Sequence, residues 1–396
     1  MANNNYLFVI SKYFMSIYLG LSCIYWLPYL DTFLLENIKA FILAVSLISF
    51  WIFILGNKLD RLPANHFNLT TYFLLIIFAC PGFIQSELFI GLKKFFDISI
   101  GFLFIYTFYL FEKQDNSGFK ILLSSFRIFS FFIFIHVFIC FTGIINLSPP
   151  SIHGFLDFSE VGFNFSRTGW SNSVALFFCF FFFYVHNKKN TYFLIIICLF
   201  SQYLSGGRLG LLSSIIILLL YTANSSGKGR NLFFIMMFSP FIVYFLDFII
   251  IHLRIDRLLG NNLDFYSLNY FTANRLHGDW LGILKILENP FLGHGFKNVN
   301  LLNDISFRGE IHNVWIKLGT ESGVLLPSIF LYKCIKILYD YYKNLNDNST
   351  VVLYLIIVCG VIQSMFEPNV LIGSFQNSAI WWATLGVLLV RKTKKI

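Results

Sequence analysis

The stretch FLLENIKAFILAVSLISFWIFIL (residues 33–55) decides the fold class of this chain. It is a mostly apolar run, long enough to cross a bilayer as one helix, which takes about 20 residues. Similar runs recur along the sequence. The chain has 396 residues, of which 57% are hydrophobic and only 12% charged, far less charge than a soluble protein carries. These features predict an all-α, polytopic membrane protein.

The hydropathy pattern predicts a bundle of about twelve transmembrane helices. Residues 1–5 lack a basic segment and no small-residue cleavage site follows them, so we expect no cleavable signal peptide. We expect a single domain over residues 1–396 with two long loops, at 145–170 and 252–310. The predicted spans are residues 6–26, 33–55, 69–84, 97–111, 121–144, 171–186, 191–205, 209–223, 231–251, 312–335, 351–366 and 376–390.

Positive charge in the short connections predicts the orientation of the chain. Lysine and arginine collect in every second connection and in the C-terminal tail, and such residues stay cytoplasmic. Both termini are therefore predicted to be cytoplasmic, with the two long loops on the outer side of the membrane. Because the net charge of +9 is largely this topology signal, we expect no nucleic-acid partner. The residues concerned are Lys58, Arg61, Lys113, Lys120, Lys188, Lys189, Lys228, Arg230, Lys343 and those of the tail RKTKKI.

The predicted outer side nevertheless carries arginines, which need a separate reason. Arg208 stands in SGGRLG (205–210), a tight turn between two apolar runs, and its planar guanidinium suits phosphate oxygens. An interfacial arginine that reaches lipid headgroups is the alternative. The loop 252–310 adds further cations, among them Arg257.

A helix with a plausible anion site is predicted inside this loop. NRLHGDWLGILKILENPFLGHGF (274–296) has helical periodicity from Leu276 to Leu287, and proline and glycines then end it. Arg275 lies at the N-terminus of this helix, where anions bind. The alternative is a surface helix with a solvated Arg275.

The stretch EIHNVWIKLGTESG (310–323) places polar residues where the tenth span begins. His312 at a membrane boundary could exchange a proton near neutral pH, although a structural histidine is the alternative. Glu321 follows nine residues later, on the opposite side of a helix. Because Lys317 precedes Glu321 by four residues, a local ion pair is the simplest interpretation of those two.

The other polar residues of the outer loop do not match a metal site. Their spacing fits no standard pattern of zinc ligands, so no metal is predicted. The residues considered are His252, His277, Asp279 and His294.

Taken together, SGGRLG, NRLHGDW…ENPFLGHGF and HNVWIKLGTESG resemble the bacterial O-antigen ligase and polymerase superfamily. The likeness covers residues 160–330. It consists of the order of the motifs, their spacing and their predicted position on the same side of the membrane. It implies a membrane-embedded, inverting glycosyltransferase of the C-type fold that needs neither a metal nor another cofactor. Its substrate would be a glycan linked to undecaprenyl diphosphate, with the active site facing the periplasm. The family motif often has serine where this chain has Gly207.

The resemblance also implies roles for individual residues. Arg208 and Arg275 match diphosphate-binding arginines, and His312 matches the motif histidine, a general base or an orienting group for the acceptor hydroxyl. Asn313 is expected to cap or fix the helix start. The substrate-binding candidates are Arg167, Arg257, Asn313 and Glu321.

Three reactions remain open within this interpretation. A polymerase joins one lipid-linked repeat unit to another, and this is the assignment we favour. A ligase transfers the finished chain to lipid A–core. A flippase for the same lipid-linked glycan is a further alternative, although no symmetric halves of the kind found in transporters are visible. The partners expected are the lipid-linked oligosaccharide and the bilayer, with a chain-length regulator and a flippase as further candidates.

Overall fold

The computed structural model describes residues 2–22, 24, 32–56, 67–141, 167–185, 191–205, 207–224, 275–296, 311–342, 345 and 347–393. Within them the chain is helical and contains no β-strand, which confirms the predicted all-α class. Three predicted features lie wholly or largely outside the described residues. They are the ninth span at 231–251, the loop 145–170 up to residue 166, and the loop 252–310 apart from residues 275–296.

The described residues form α-helices joined in places by short 3₁₀ segments. Two of them contain stretches that are long and apolar enough to cross a membrane, Phe33–Leu55 and Ser117–Phe138. The 3₁₀ segments are Leu371–Gly373 and Gln376–Ser378. The α-helices are α1 (Ala2–Ser22), α2 (Thr32–Gly56), α3 (Leu69–Gln85), α4 (Leu88–Asp115), α5 (Ser117–Phe141), α6 (Arg167–Phe178), α7 (Phe181–Val185), α8 (Thr191–Leu204), α9 (Arg208–Asn224), α10 (Arg275–Glu288), α11 (Val314–Ser322), α12 (Leu325–Tyr342), α13 (Asn348–Ser364) and α14 (Ala379–Thr393).

The predicted tenth span, 312–335, is not one helix but two. Helix α11 ends at Ser322, and α12 starts at Leu325. Between them Gly323 has a φ of +82°, and a Cβ there would lie 2.3 Å from the backbone oxygen of Phe291. The break therefore comes from close packing of the 290–292 segment, since only glycine accepts both this backbone conformation and this contact.

Bulky aromatic side chains and small residues fill the bundle together. Trp382 lies against α4, where a Cβ on Gly101 would come within 2.8 Å of its indole. Gly386 of α14 faces α4 in turn, because a Cβ there would lie 2.4 Å from the backbone oxygen of Ile105. Such close helix contacts through glycine are typical of membrane bundles.

Helix α13 connects two distinct ends of the bundle. Its N-cap residue Asp347 is 3.4 Å from Arg391, which also pairs with Glu112 at 3.1 Å. In its last turn Gln363 donates a hydrogen bond to the backbone oxygen of Asn172, 2.9 Å away. A helix of 17 residues rises about 25 Å, so these two sets of contacts lie at opposite ends.

Candidate functional site

Arg275 is held across the bundle by the segment that follows α13. Its Nη1 donates to the backbone oxygen of Phe366 at 2.9 Å and lies 3.4 Å from a carboxylate oxygen of Glu367. Glu367 is largely buried, and Arg275 is partly exposed. The guanidinium therefore has one nitrogen fixed by the protein and part of its surface open to a ligand.

Asp279 joins the helix of Arg275 to the segment of His312. One carboxylate oxygen accepts hydrogen bonds from the backbone N–H groups of His312, at 3.1 Å, and Asn313, at 3.2 Å. Asp279 comes one turn after Arg275 on the same face of α10. Arg275 and His312, which were predicted from separate motifs, are thus linked through the hydrogen bonds of Asp279.

Asn313 caps α11 as predicted. Its side-chain oxygen accepts from the backbone N–H groups of Trp315, at 2.9 Å, and Ile316, at 3.3 Å. An N-cap of this kind satisfies donors that the first turn leaves free. Because the N-terminus of a helix carries partial positive charge, the α11 start adds to the cationic character that Arg275 gives this region.

The environment of His312 keeps its imidazole neutral. Burial first, and then the positive charges of Arg275 and Lys317, lower the pKa of His312 to about 4. Its Nδ1 is buried and has no hydrogen-bond partner among the residues that the structure describes. A neutral imidazole can accept a proton, and the same lowering of its pKa makes it a weaker base than an ordinary histidine.

The pKa of the Asp279 carboxyl group is shifted upward, in the opposite direction to that of His312. Burial raises the pKa of Asp279, while its bonds to Asn313 and His312 and the charge of Arg275 act against that rise. The two backbone hydrogen bonds stabilise the charged form of this carboxyl group.

The 289–296 segment clasps the far end of α11. The backbone N–H of His294 donates to the oxygen of Thr320 at 2.8 Å, and that of Gly295 to the oxygen of Glu321 at 2.9 Å. Gly293 and Gly295 have φ values of +68° and +90°. These glycines follow the end of α10 at Glu288, where the sequence predicted a break, and their positive φ lets the chain reverse beside α11.

Hydrogen bonds connect the start of α9 to the end of the bundle where Phe366 binds Arg275. Ser171 donates from its hydroxyl to the backbone oxygen of Gly207 at 2.6 Å, directly before Arg208. The next residue, Asn172, accepts the bond from Gln363, and Phe366 follows three residues after Gln363 to bind Arg275. The backbone of Arg208 and that of Arg275 therefore lie at one end of the molecule.

Two of the remaining predicted arginines begin helices. Arg167 is the first residue of α6, and Arg208 is the first residue of α9. Arg257 lies outside the described residues.

Glu321 is buried at the C-terminal end of α11, away from the helix start that carries His312. Glu321 interacts electrostatically with Lys94, a buried lysine of α4. Lys94 in turn donates to the backbone oxygens of Ile372 and Gly373 at 2.6 and 3.0 Å. Lys317 has a polar contact of its own, because its Nζ lies 3.5 Å from the side-chain oxygen of Asn369.

Two residues of this region were not expected from the sequence to join the site. Asp279 was considered only for a metal site, yet its position four residues after Arg275 was a usable signal, since such residues share a helix face. Glu367 lies 92 residues from Arg275 and gave no local signal. The described residues contain no group of three or more His, Cys, Asp or Glu side chains arranged to hold a metal ion.

Comparison with known proteins does not add to this geometry. The chain matches no protein-family model and no curated protein significantly. The resemblance to a family therefore depends on the motifs alone.

Proposed function

We propose that this protein is a surface-polysaccharide polymerase of the O-antigen type, an inverting glycosyltransferase that uses glycans linked to undecaprenyl diphosphate. The observation that carries the proposal is the pair of hydrogen bonds that Asp279 accepts from the backbone N–H groups of His312 and Asn313. It couples a helix headed by a cationic arginine to a neutral histidine. An anion-binding group next to a proton acceptor is what this transfer needs.

The reaction requires two kinds of group, one for the acceptor hydroxyl and one for the leaving diphosphate of the donor. The oxygen of an acceptor hydroxyl attacks the anomeric carbon, and the bond from that carbon to the lipid diphosphate breaks. The diphosphate leaves with the electron pair, so negative charge grows where Arg275 and Arg208 are proposed to bind. Fixed donors at such a position typically contribute about 10²–10³-fold to the rate. The hydroxyl proton passes to His312, a role worth about 10²–10⁴-fold.

We further propose that about twelve helices span the inner membrane, with this end of the bundle facing the periplasm and both termini in the cytoplasm. Two described helices contain stretches with the length and hydropathy of spans. The opposite end carries Arg391, next to the basic C-terminal tail. Basic residues at one end and the site at the other agree with the positive-inside bias.

Transfer by purified protein in lipid nanodiscs tests the proposal. The donor is a defined lipid-linked repeat unit, and the acceptor is either a second such unit or lipid A–core. A polymerase uses the first acceptor, a ligase uses the second, and a flippase gives no transfer with either. Substituting Arg208→Ala, Arg275→Ala or His312→Ala should abolish transfer while the protein still inserts. Full transfer in all three variants would disprove the assignment.

A further inference from the structure

Helix α10 exposes an apolar stripe on the side facing away from the other residues that the structure describes. Its most exposed apolar side chains are Trp280, Ile283, Leu284 and Leu287, with exposed fractions that reach 70% at Leu287. These positions follow the i, i+3, i+4, i+7 pattern and share an arc of about 100° on a helical wheel. The stripe is therefore one continuous face and not a set of scattered residues.

The opposite face of α10 packs on the protein and is the less apolar of the two. A Cβ on Gly282 would lie 2.6 Å from the side chain of Ile316, so the two helices touch there. Arg275, Gly278 and Asp279 lie on this inner side as well, with Gly278 and Gly282 buried. A surface helix in water shows the reverse pattern, because its apolar face turns inward. The pattern of α10 indicates an apolar environment outside it.

The stripe continues onto the outer surface of α3 and the start of α4. Phe291 and Leu292 follow α10 and are exposed, and Gln85 of α3 donates to the backbone oxygen of Leu292 at 3.5 Å. Just beyond Gln85, Leu88 and Phe89 are more than 70% exposed.

Along α3 itself the exposed apolar residues recur on one side of the helix. They are Leu69, Phe73, Ile77 and Ile84, and the less exposed Leu74 lies off this side. Helix α3 is a shorter apolar helix of 17 residues, and in the membrane placement proposed above its outer stripe faces lipid. The stripe of α10 joins that surface at its edge.

We infer that α10 lies in the membrane interface and inserts its Trp280–Leu287 face into the outer-leaflet lipids. A helix of this kind lies in the plane of the interface with its apolar side buried about 5–10 Å. Trp280 fits this position, because tryptophan is enriched at the boundary between lipid and water. The inference rests on the membrane placement proposed above but not on the transfer reaction.

This placement has a consequence for the site. Because Arg275 and Asp279 lie on the inner side of α10, they sit at the depth of the lipid headgroups. A diphosphate attached to a membrane lipid lies at the same depth. The helix thus sets the height of the cationic group relative to the bilayer.

Photo-crosslinking of the full chain in nanodiscs of phosphatidylethanolamine and phosphatidylglycerol tests the inference. Position 287 carries the probe as Leu287→p-benzoylphenylalanine, and the mass of the irradiated protein reports what it contacts. The same probe replaces Ile48, an exposed residue of the candidate span in α2, as the positive control. It also replaces Asn348, an exposed polar residue at the opposite end of the bundle and outside the stripe, for comparison. We expect phospholipid adducts at positions 287 and 48 and markedly fewer at 348.

Each other outcome is informative. Lipid adducts at 48 but not at 287 would overturn the inference and leave the membrane placement intact. Absence at both positions would refute the membrane placement as well. Crosslinked dimers at 287 would show that the stripe joins two copies of the chain, which also overturns the inference. Since all three positions are exposed, the probe should fit without repacking, and gel filtration checks this.

Discussion

Arg275 and Glu367 form an ion pair of 3.4 Å between residues 92 positions apart in the chain. The pair fixes one side of the guanidinium within the candidate site. A bound diphosphate would replace Glu367 as the anionic partner of part of the guanidinium. The geometry therefore makes the arginine the most informative residue to change.

Replacing Arg275 should slow glycan transfer strongly without unfolding the protein. Arg275→Ala removes the cation, and we expect a fall in rate of about 10²–10³-fold. Arg275→Lys keeps the charge but not the planar fork, so it should also be impaired. The measurement is transfer from a lipid-linked unit in nanodiscs. Lys285→Ala on the same helix, which removes an exposed pair with Glu288, is the matched control and should keep the wild-type rate.

The pH dependence of transfer should reveal the lowered pKa of His312. With a pKa of about 4 in place of 6.5, the imidazole of the free enzyme stays neutral as the pH falls from 8 to 5. The acid limb of kcat/KM should therefore lie well below pH 6.5. Bound diphosphate is negative and favours the imidazolium, so the acid limb of kcat should lie at higher pH than that of kcat/KM.

The same shift sets the sign of the effect on stability. Since the folded state disfavours the charged imidazole, the contribution of His312 is present above pH 6.5 and is lost as the pH falls towards 4. His312→Gln should remove this dependence on pH. An acid limb of kcat/KM at or above pH 6.5 in the wild type would contradict the neutral-base role.

Asn313→Ala should destabilise the start of α11. It removes the acceptor for the backbone N–H groups of Trp315 and Ile316. Loss of an N-cap costs about 0.5–2 kcal/mol, which should lower the midpoint of thermal unfolding. Asn313→Ser retains a capping oxygen and should recover most of the stability. If both variants unfold at the wild-type temperature, the cap contributes nothing measurable.

Gly293→Ala should disrupt the clasp around α11. Its φ is +68°, and a Cβ would lie 2.6 Å from backbone atoms of Glu321 and Ser322, which cannot move aside as a flexible side chain could. The left-handed conformation alone costs an alanine about 1–2 kcal/mol. We expect a lower yield of monodisperse protein and a lower unfolding temperature.

A second glycine provides the control for that change. Gly91→Ala lies within α4, and the nearest atom to its Cβ would be 3.5 Å away, an ordinary contact. It should be neutral or slightly stabilising, because alanine favours a helix more than glycine does. Equal behaviour of the two variants would argue against the clasp.

The sequence by itself determined the features that depend on neighbours along the chain. Hydropathy predicted the all-α class, and the periodicity of Leu276–Leu287 predicted α10, which the structure extends by one residue at each end. The cap at Asn313 and the break at Pro290 also follow from local backbone chemistry.

Only the tertiary structure decided the features that depend on contacts between distant segments. An apolar run does not reveal that the predicted span 312–335 breaks at Gly323, because the 290–292 segment imposes the break. Nor does it reveal that Glu367 meets Arg275, or which face of α10 turns outward. Hydropathy depends on one residue and its neighbours, whereas these features depend on which surfaces the fold brings together.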